Sequence, residues 1–396
     1  MIMLTEKLSL TQIFTMIINF LLGSSIVVGI GMEAKRDAWL VVLIGMFIGL
    51  IVMSFYLYFM SLLPGKNIYE IIEYCFSRKV AVILALVYLS YFIYISARVI
   101  RDFGELITTA ILPATPIEFT IFTLMLVIGY ILYLGIEVLG RTAEIFSPYM
   151  FVFVFLLFIL LYAGGKINLT NIQPILSSGI MEVIKSTIPS IIAFPFGELI
   201  AFTVILANIG NYKAASKVCL ISVFIASVIL LSSVFLIIAT LGENTATRAN
   251  FPLLITARLV SIGEFLERID VLVVFIMMLG ILIKSSVFLY GGLKGIEYIF
   301  KIPFRYFAMP VSCIVAMFSI FITIDFSDHL VEGLHVDIFL LHLHFQFGFP
   351  ILIVFVLLIK KWKEQRNEKS PAVICQVPKS KELEIVSQPI PKKDNT

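Results

Sequence analysis

Ten apolar stretches, each long enough to cross a lipid bilayer, follow one another along almost the whole chain. They occupy approximately 11–31, 38–62, 80–111, 118–136, 145–164, 186–207, 216–241, 269–293, 305–324 and 337–361. A span needs roughly 20 mostly apolar residues. Of the 396 residues, 60% are hydrophobic and 14% charged, against roughly 45–50 and 25 per cent in soluble domains. One soluble core cannot hide that excess, so lipid is the expected solvent. Lipid offers no partners to backbone groups, and no alternating barrel pattern is present, so the spans are expected to be helices. The third stretch exceeds what a crossing needs and is expected to tilt or protrude.

The basic residues orient the chain. With the N-terminus inside, the inner segments hold 19 Lys and Arg and the outer segments 7. That bias predicts cytoplasmic termini, which agrees with an even number of spans. Met1–Gln12 is short and mixed and no A-x-A site follows, so the first stretch is expected to be a span and not a cleaved leader. Cys75, Cys219, Cys313 and Cys375 are scattered, which predicts neither a disulfide framework nor a metal. A short surface helix is expected around Met181–Lys185. Residues 364–396 mix Lys, Glu, Ser and Pro and read as a disordered cytoplasmic tail after a membrane domain of 1–363.

Two spans carry signs of a break. The first contains Leu22-Gly23-Ser24-Ser25-Ile26 and then Gly29-Ile30-Gly31. The sixth contains Ala193-Phe194-Pro195-Phe196-Gly197-Glu198. Glycine is costly inside a helix, and proline removes a donor and disturbs the preceding turn. Spans one and six head two five-helix halves, and paired interruptions at matching positions mark a transporter-type ligand site. Unwound backbone there offers free N–H and C=O groups to a small polar molecule. Packing glycines and an ordinary proline kink are the plainer reading.

Charge inside a bilayer needs a partner or a wet cavity. Arg98, Arg101, Asp102 and Glu105 share one arc of the third span, with Arg98–Asp102 and Arg101–Glu105 spaced as i,i+4 pairs. They read as a gate or ligand-charge reader, or as a self-neutralising stripe. Tyr91 and Tyr94 sit one turn apart and would either wall a pocket or fill the core. Lys284-Ser285-Ser286 interrupts the eighth span. Its ammonium either replaces a coupling cation facing the first span or forms a structural pair with Glu198. His329, His335, His342 and His344 cluster near the last outer loop with Asp325, Asp328, Glu332 and Asp337, and His342 and His344 would point apart on a helix. There is no P-loop, G-x-S-x-G, H-E-x-x-H or dinucleotide fingerprint, so neither an enzyme nor a cofactor is expected.

Taken in order, the short motifs resemble a known family across about residues 8–361. They are Leu22-Gly23-Ser24-Ser25-Ile26, Arg101-x-x-x-Glu105, Leu112 with Thr115-Pro116, Asn171-x-x-Pro174, Phe196-Gly197-Glu198, Phe251-Pro252 and Glu267-Arg268-Ile269-Asp270. The chain resembles the B subunits of endospore germinant receptors, the GerAB/GerKB-type spore germination permeases of the amino acid–polyamine–organocation superfamily. It departs at Ser24-Ser25, where the family often has a second glycine, and at Gly29–Gly31, where a Leu-Pro usually ends the break. Those departures bear on ligand identity more than on fold.

The resemblance implies an all-α, ten-helix LeuT-like fold. It is a 5+5 inverted repeat, about 11–164 and 186–361, with helices 1 and 6 broken. It also implies nutrient sensing in the spore inner membrane, a germinant that is typically an amino acid, and partner A and lipoprotein C subunits rather than nucleic acid. Gly23, Ser24, Ser25, Phe196, Gly197 and Glu198 would line the ligand site, with Phe194, Tyr91 and Tyr94 as added walls. Arg98, Arg101, Asp102, Glu105, Lys284, Ser285 and Ser286 would form a gating or charge network. A secondary amino-acid transporter and a structural subunit with a vestigial pocket are the competing functions.

Overall fold

The computed structural model describes residues 7–176, 179–259, 269–323 and 325–369, and among these every regular element is a helix. Among the described residues nine helices are long and apolar enough to cross a membrane, or ten if a pair bent by 108°, Arg305–Phe321 with Phe326–Val336, is counted as one broken span.

The first span starts at a reciprocal cap. The Ser9 hydroxyl accepts from the Gln12 N–H at 3.1 Å, and the Gln12 side chain accepts from the Ser9 N–H at 3.0 Å. Helix α1 (Leu10–Leu22) stops at Gly23, and α2 (Ser25–Val28) resumes after Ser24. Gly29 and Gly31 then take φ of 72° and 74°, a region open to glycine at no steric cost, and turn the chain out of the span. Helix α3 (Ala38–Ser61) is the second span, and α4 (Ile68–Cys75), capped by Asn67, is a short amphipathic connector. Helix α5 (Arg78–Ala110) is the long third span, at 33 residues.

Helix α6 (Ile117–Leu134) ends at Gly135 (φ 118°), and α7 (Ile136–Ala163) starts at the next residue. The fifth-span helix thus begins nine residues before the expected 145. An i,i+4 pair, Arg141–Glu137 at 2.7 Å, carries its polar first turns on an exposed face. The surface helix expected near Met181 is α8 (Ile180–Ser186).

The sixth span is not one helix. Thr187–Phe196 is a wide-turned segment with extended dihedrals at Ile188 (φ −113°, ψ 122°) and Phe194 (φ −127°, ψ 120°). Both residues precede a proline, whose ring disfavours helical geometry in the residue before it. Tight turns at Gly197–Ala201 lead into α9 (Phe202–Ile205). Helix α10 (Tyr212–Leu241) is followed by the short α11 (Glu243–Arg248) and α12 (Pro252–Arg258). Helix α13 (Asp270–Phe300) runs through Lys284-Ser285-Ser286 without a break, so that triplet interrupts only the apolar character of the eighth span. Helices α14 (Arg305–Phe321), α15 (Phe326–Val331) and α16 (Phe349–Lys369) close the chain, with wide turns over Glu332–Val336 and Ile338–Gly348. The tail expected from 364 is helical as far as Lys369, and the rest of it lies outside the described residues.

Burial separates the spans that build the centre from those that meet lipid. The buried share is 89% for the first span and 78% each for the sixth and eighth, but 28% for the fifth. Helix α13 lies along α5 and also touches α1 and α7. Close approach needs small residues there. A Cβ on Gly291 would fall 2.9 Å from the Phe92 ring, and one on Gly280 2.6 Å from the Gly23 Cα.

A cavity at the paired helix breaks

The two breaks face one another across a cavity. Ser24 and Val28 border it from the first span, and Phe194 and Glu198 from the sixth. Helix α5 contributes Ile95, Arg98, Val99 and Asp102. The segment around α15 contributes His329, Leu330, Gly333 and Leu334, and the last span contributes His342. The cavity measures about 60 Å³, counted as the space open to the centre of a water-sized sphere. One water takes roughly 10–15 Å³ on that measure, so the room suits a few waters or one compact solute. Below the cavity the halves are pinned by an edge-to-face contact of Phe20 and Phe202, with centroids 5.2 Å apart.

The floor is ionic. The Lys284 ammonium lies 2.7 Å from Glu198 Oε2, at 0% and 3% side-chain exposure, so of the two expected arrangements the pair with Glu198 is formed. The ammonium also sits 4.4 Å from the Phe194 ring centre, a cation–π contact. Gly23 makes the approach possible, since a Cβ there would fall 3.0 Å from Lys284 Cδ. The hydroxyls of Ser24, Ser25 and Ser286 are buried without a hydrogen-bond partner among the described residues. Ser285 bonds Ser96 instead, hydroxyl to hydroxyl at 2.8 Å.

The charged stripe on α5 is only partly self-neutralising. Arg101 and Glu105 form the expected pair, with Nη2 to Oε1 at 2.6 Å, and Arg101 Nη1 also donates to the Ile320 carbonyl at 3.0 Å. The expected Arg98–Asp102 pair is replaced by longer-range partners. Arg98 Nη1 lies 3.1 Å from Asp337 Oδ2 and 3.6 Å from Glu332 Oε2, while Asp102 meets His329 Nε2 at 3.0 Å. Arg98 thus takes its carboxylates from the segment that follows α14, whereas Arg101 takes its own from one turn along α5.

Several expected pocket residues stand one layer back. Tyr94 donates to both oxygens of Asp337 at 3.0 and 2.9 Å and accepts from Arg98 at 3.1 Å. Tyr91 meets His342 Nδ1 at 2.9 Å and accepts from Gln346 Nε2 at 3.0 Å. Phe196 fills the space left by Gly45 and Gly49 of α3, where a Cβ on Gly49 would fall 2.3 Å from its ring. The Gly197 carbonyl accepts from Tyr56, which also reaches the Gln346 carbonyl. His342, His329 and the Gly333–Leu334 corner border the cavity without having been singled out as pocket residues. His342 is buried and His344 exposed, on opposite faces of the last span, and their two-residue spacing implies that they diverge without marking which one turns inward.

Comparison with known proteins assigns the scaffold. Residues 7–328 match the sequence profile of the family described as spore germination protein. This chain is a member of the spore germination protein family. Among its relatives, Spore germination protein KB of Bacillus subtilis (strain 168) is 35% identical over 92% of this chain and 97% of its own length. Spore germination protein YndE of the same organism is 22% identical over 92% and 99%. Among solved structures, the nucleobase–cation-symport-1 family transporter MHP1 in a closed conformation aligns with TM-score 0.58 at 13% identity, over 79% of this chain and 71% of that one. A Na+-coupled sialic acid symporter in an outward-open state aligns at 0.55 and 16% identity, over 88% and 76%. This spore germination protein therefore has the all-α LeuT-like transporter fold, with spans 1 and 6 broken as the sequence led one to expect.

Proposed function

We propose that this protein is the membrane-embedded sensing subunit of a germinant receptor in the spore inner membrane, with both termini in the cytoplasm. It binds a small nutrient, an amino acid above all, at the paired breaks and passes the event to A- and C-type partner subunits. One observation carries the reading. A compact cavity at the junction of two broken spans is bordered by a guanidinium, two carboxylates, two imidazoles and an unpartnered Ser24 hydroxyl. Such walls suit a small molecule bearing both charges. Membership of the germination family and the relation to protein KB support the sensing role. The ligand biases a fold with two accessible states, and that bias is the signal.

Spores lacking the gene, and spores carrying Ser24→Trp, are challenged with single amino acids, sugars and nucleosides. The expected result is loss of germination to one amino-acid stimulus while the Ser24→Trp protein accumulates normally. Unchanged dose–response curves would remove the site from this cavity.

A second reading, a secondary amino-acid transporter, is favoured by the fold shared with two symporters. Concentrative uptake by the isolated protein in proteoliposomes would select it.

A further inference from the structure

Arg98 and Asp102 are each engaged twice. Both side chains border the cavity, and both also hold down the segment that roofs it. Arg98 Nη1 is shared among Asp337, Glu332 and the Tyr94 hydroxyl, and its Nη2 donates to the His329 carbonyl. Asp102 holds the His329 ring. Gly333 lies directly on the guanidinium, where a Cβ would fall 2.7 Å from Nη2, so a larger residue would lift the roof off Arg98. Phe326 adds an apolar anchor, stacked on Phe251 at 5.1 Å. The roof, Phe326–Val336 with the adjoining Asp337, is thus a lid whose polar anchors are the cavity's own charges.

We propose that Arg98 and Asp102 read the carboxylate and the ammonium of a compact zwitterion, and that they do so by releasing the lid. The proposal rests on the reading of this cavity as the ligand site. Residues four apart on a helix are about 6 Å apart along its axis, and their side chains converge on the same wall. A ligand carboxylate takes the place of Asp337 and Glu332 at the guanidinium. A ligand ammonium takes the place of the His329 ring at Asp102. A zwitterion satisfies both at once and leaves neither buried charge unpaired. A simple amine or a simple acid satisfies one and leaves the other still tied to the lid, so it is selected against. Ligand and docked lid then compete for the same two side chains, and the coupling is reciprocal: whatever loosens the lid strengthens binding.

The test uses the full-length protein in lipid nanodiscs. The probes are the proteinogenic amino acids singly and, for the one that binds, its decarboxylated amine and its deaminated acid. Binding is read by calorimetry, and lid docking by hydrogen–deuterium exchange of the peptide covering 325–337. The amine and the acid should each bind at least on the order of tenfold more weakly than the amino acid, and the amino acid should raise exchange in the lid. Asp337→Asn and His329→Ala, which weaken the anchors, should each tighten binding, on the order of tenfold. Asp102→Asn should weaken it. A gain in affinity cannot arise from misfolding, so the sign is informative even where stability changes. Equal binding of the amine or the acid, increased protection of the lid, or weaker binding by both anchor variants overturns this inference and leaves the cavity as the ligand site. Failure of every amino acid to bind overturns both.

Discussion

The Lys284 ammonium and the Glu198 carboxylate meet at 2.7 Å, and neither is reached by solvent at more than 3% of its side-chain surface. Lys284 belongs to the unbroken α13, and Glu198 to the turns that follow the break in the sixth span. Removing one partner strands the other as a buried charge, a loss of about 3–5 kcal/mol, whereas removing both together can be nearly neutral. Glu198→Gln and Lys284→Met should each lower the melting temperature of the detergent-solubilised protein, and the double variant should recover most of the loss. A double variant no more stable than the worse single one would mean that the pair is not what stabilises this junction.

Gly197 allows a close contact that a methyl group would destroy. Its added Cβ would fall 2.0 Å from Gln346 Oε1 and 2.9 Å from the Ile192 carbonyl. Gly197→Ala should therefore destabilise by about 1–3 kcal/mol, the usual range for overpacking, and should blunt the germination response. Shortening the opposing side chain in Gly197→Ala/Gln346→Ser should restore part of the stability, measured by the same melts.

The Arg101–Glu105 pair is not symmetric, because Arg101 also supplies a donor to the Ile320 carbonyl. Exchanging the two charges keeps the ion pair but leaves that carbonyl without its guanidinium. Relative to Arg101→Ala, the exchange should recover only part of the lost accumulation and germination. Full recovery would show that the Ile320 contact contributes nothing.

On the face carrying the long loops, Arg36 ties two connections together, pairing with Glu243 at 2.8 Å and donating to the Gln173 carbonyl at 2.8 Å. The hydrogen bond from Arg36 holds the Glu243 carboxyl below its ordinary value of 4.5. A carboxyl depressed in the folded state contributes stability above its ordinary value, and loses it as pH falls through the depressed one. Limited proteolysis of the connections at 165–176 and 242–258 should therefore quicken as pH drops below about 4.5, and Arg36→Ala should flatten that dependence. A pH profile identical in the variant would show that another group governs the loops.

Much of the architecture could be read from the chain because lipid imposes simple rules. Long apolar runs gave the spans, and Gly23 and Pro195 marked both breaks. The deviation in the sixth span falls on Phe194, the residue that the Pro195 ring constrains. The start of the fifth span was less legible, since Glu137, Arg141 and Glu144 dilute the apolar signal although the helix runs through them. The site was legible in its halves but not in its wiring. Spacing along α5 suggested a partner for Arg98 four residues on, yet the guanidinium is taken by Asp337 and Glu332, which only the return of the chain after α14 brings near. Likewise His342 carries no local mark that distinguishes it from His344. Its position follows from Tyr91 and Gln346, which hold one ring nitrogen while the ring edges the cavity.

Helix α13 carries one further implication. It runs without a break from Asp270 to Phe300, presses Gly280 against Gly23 of the first span and extends Lys284 to Glu198 of the sixth. Neither interrupted segment can therefore shift without its partner feeling the strain through this one rod. Compensating substitutions for damage at either interruption should accordingly gather around Gly280 and Lys284, which stand behind the cavity wall rather than on it.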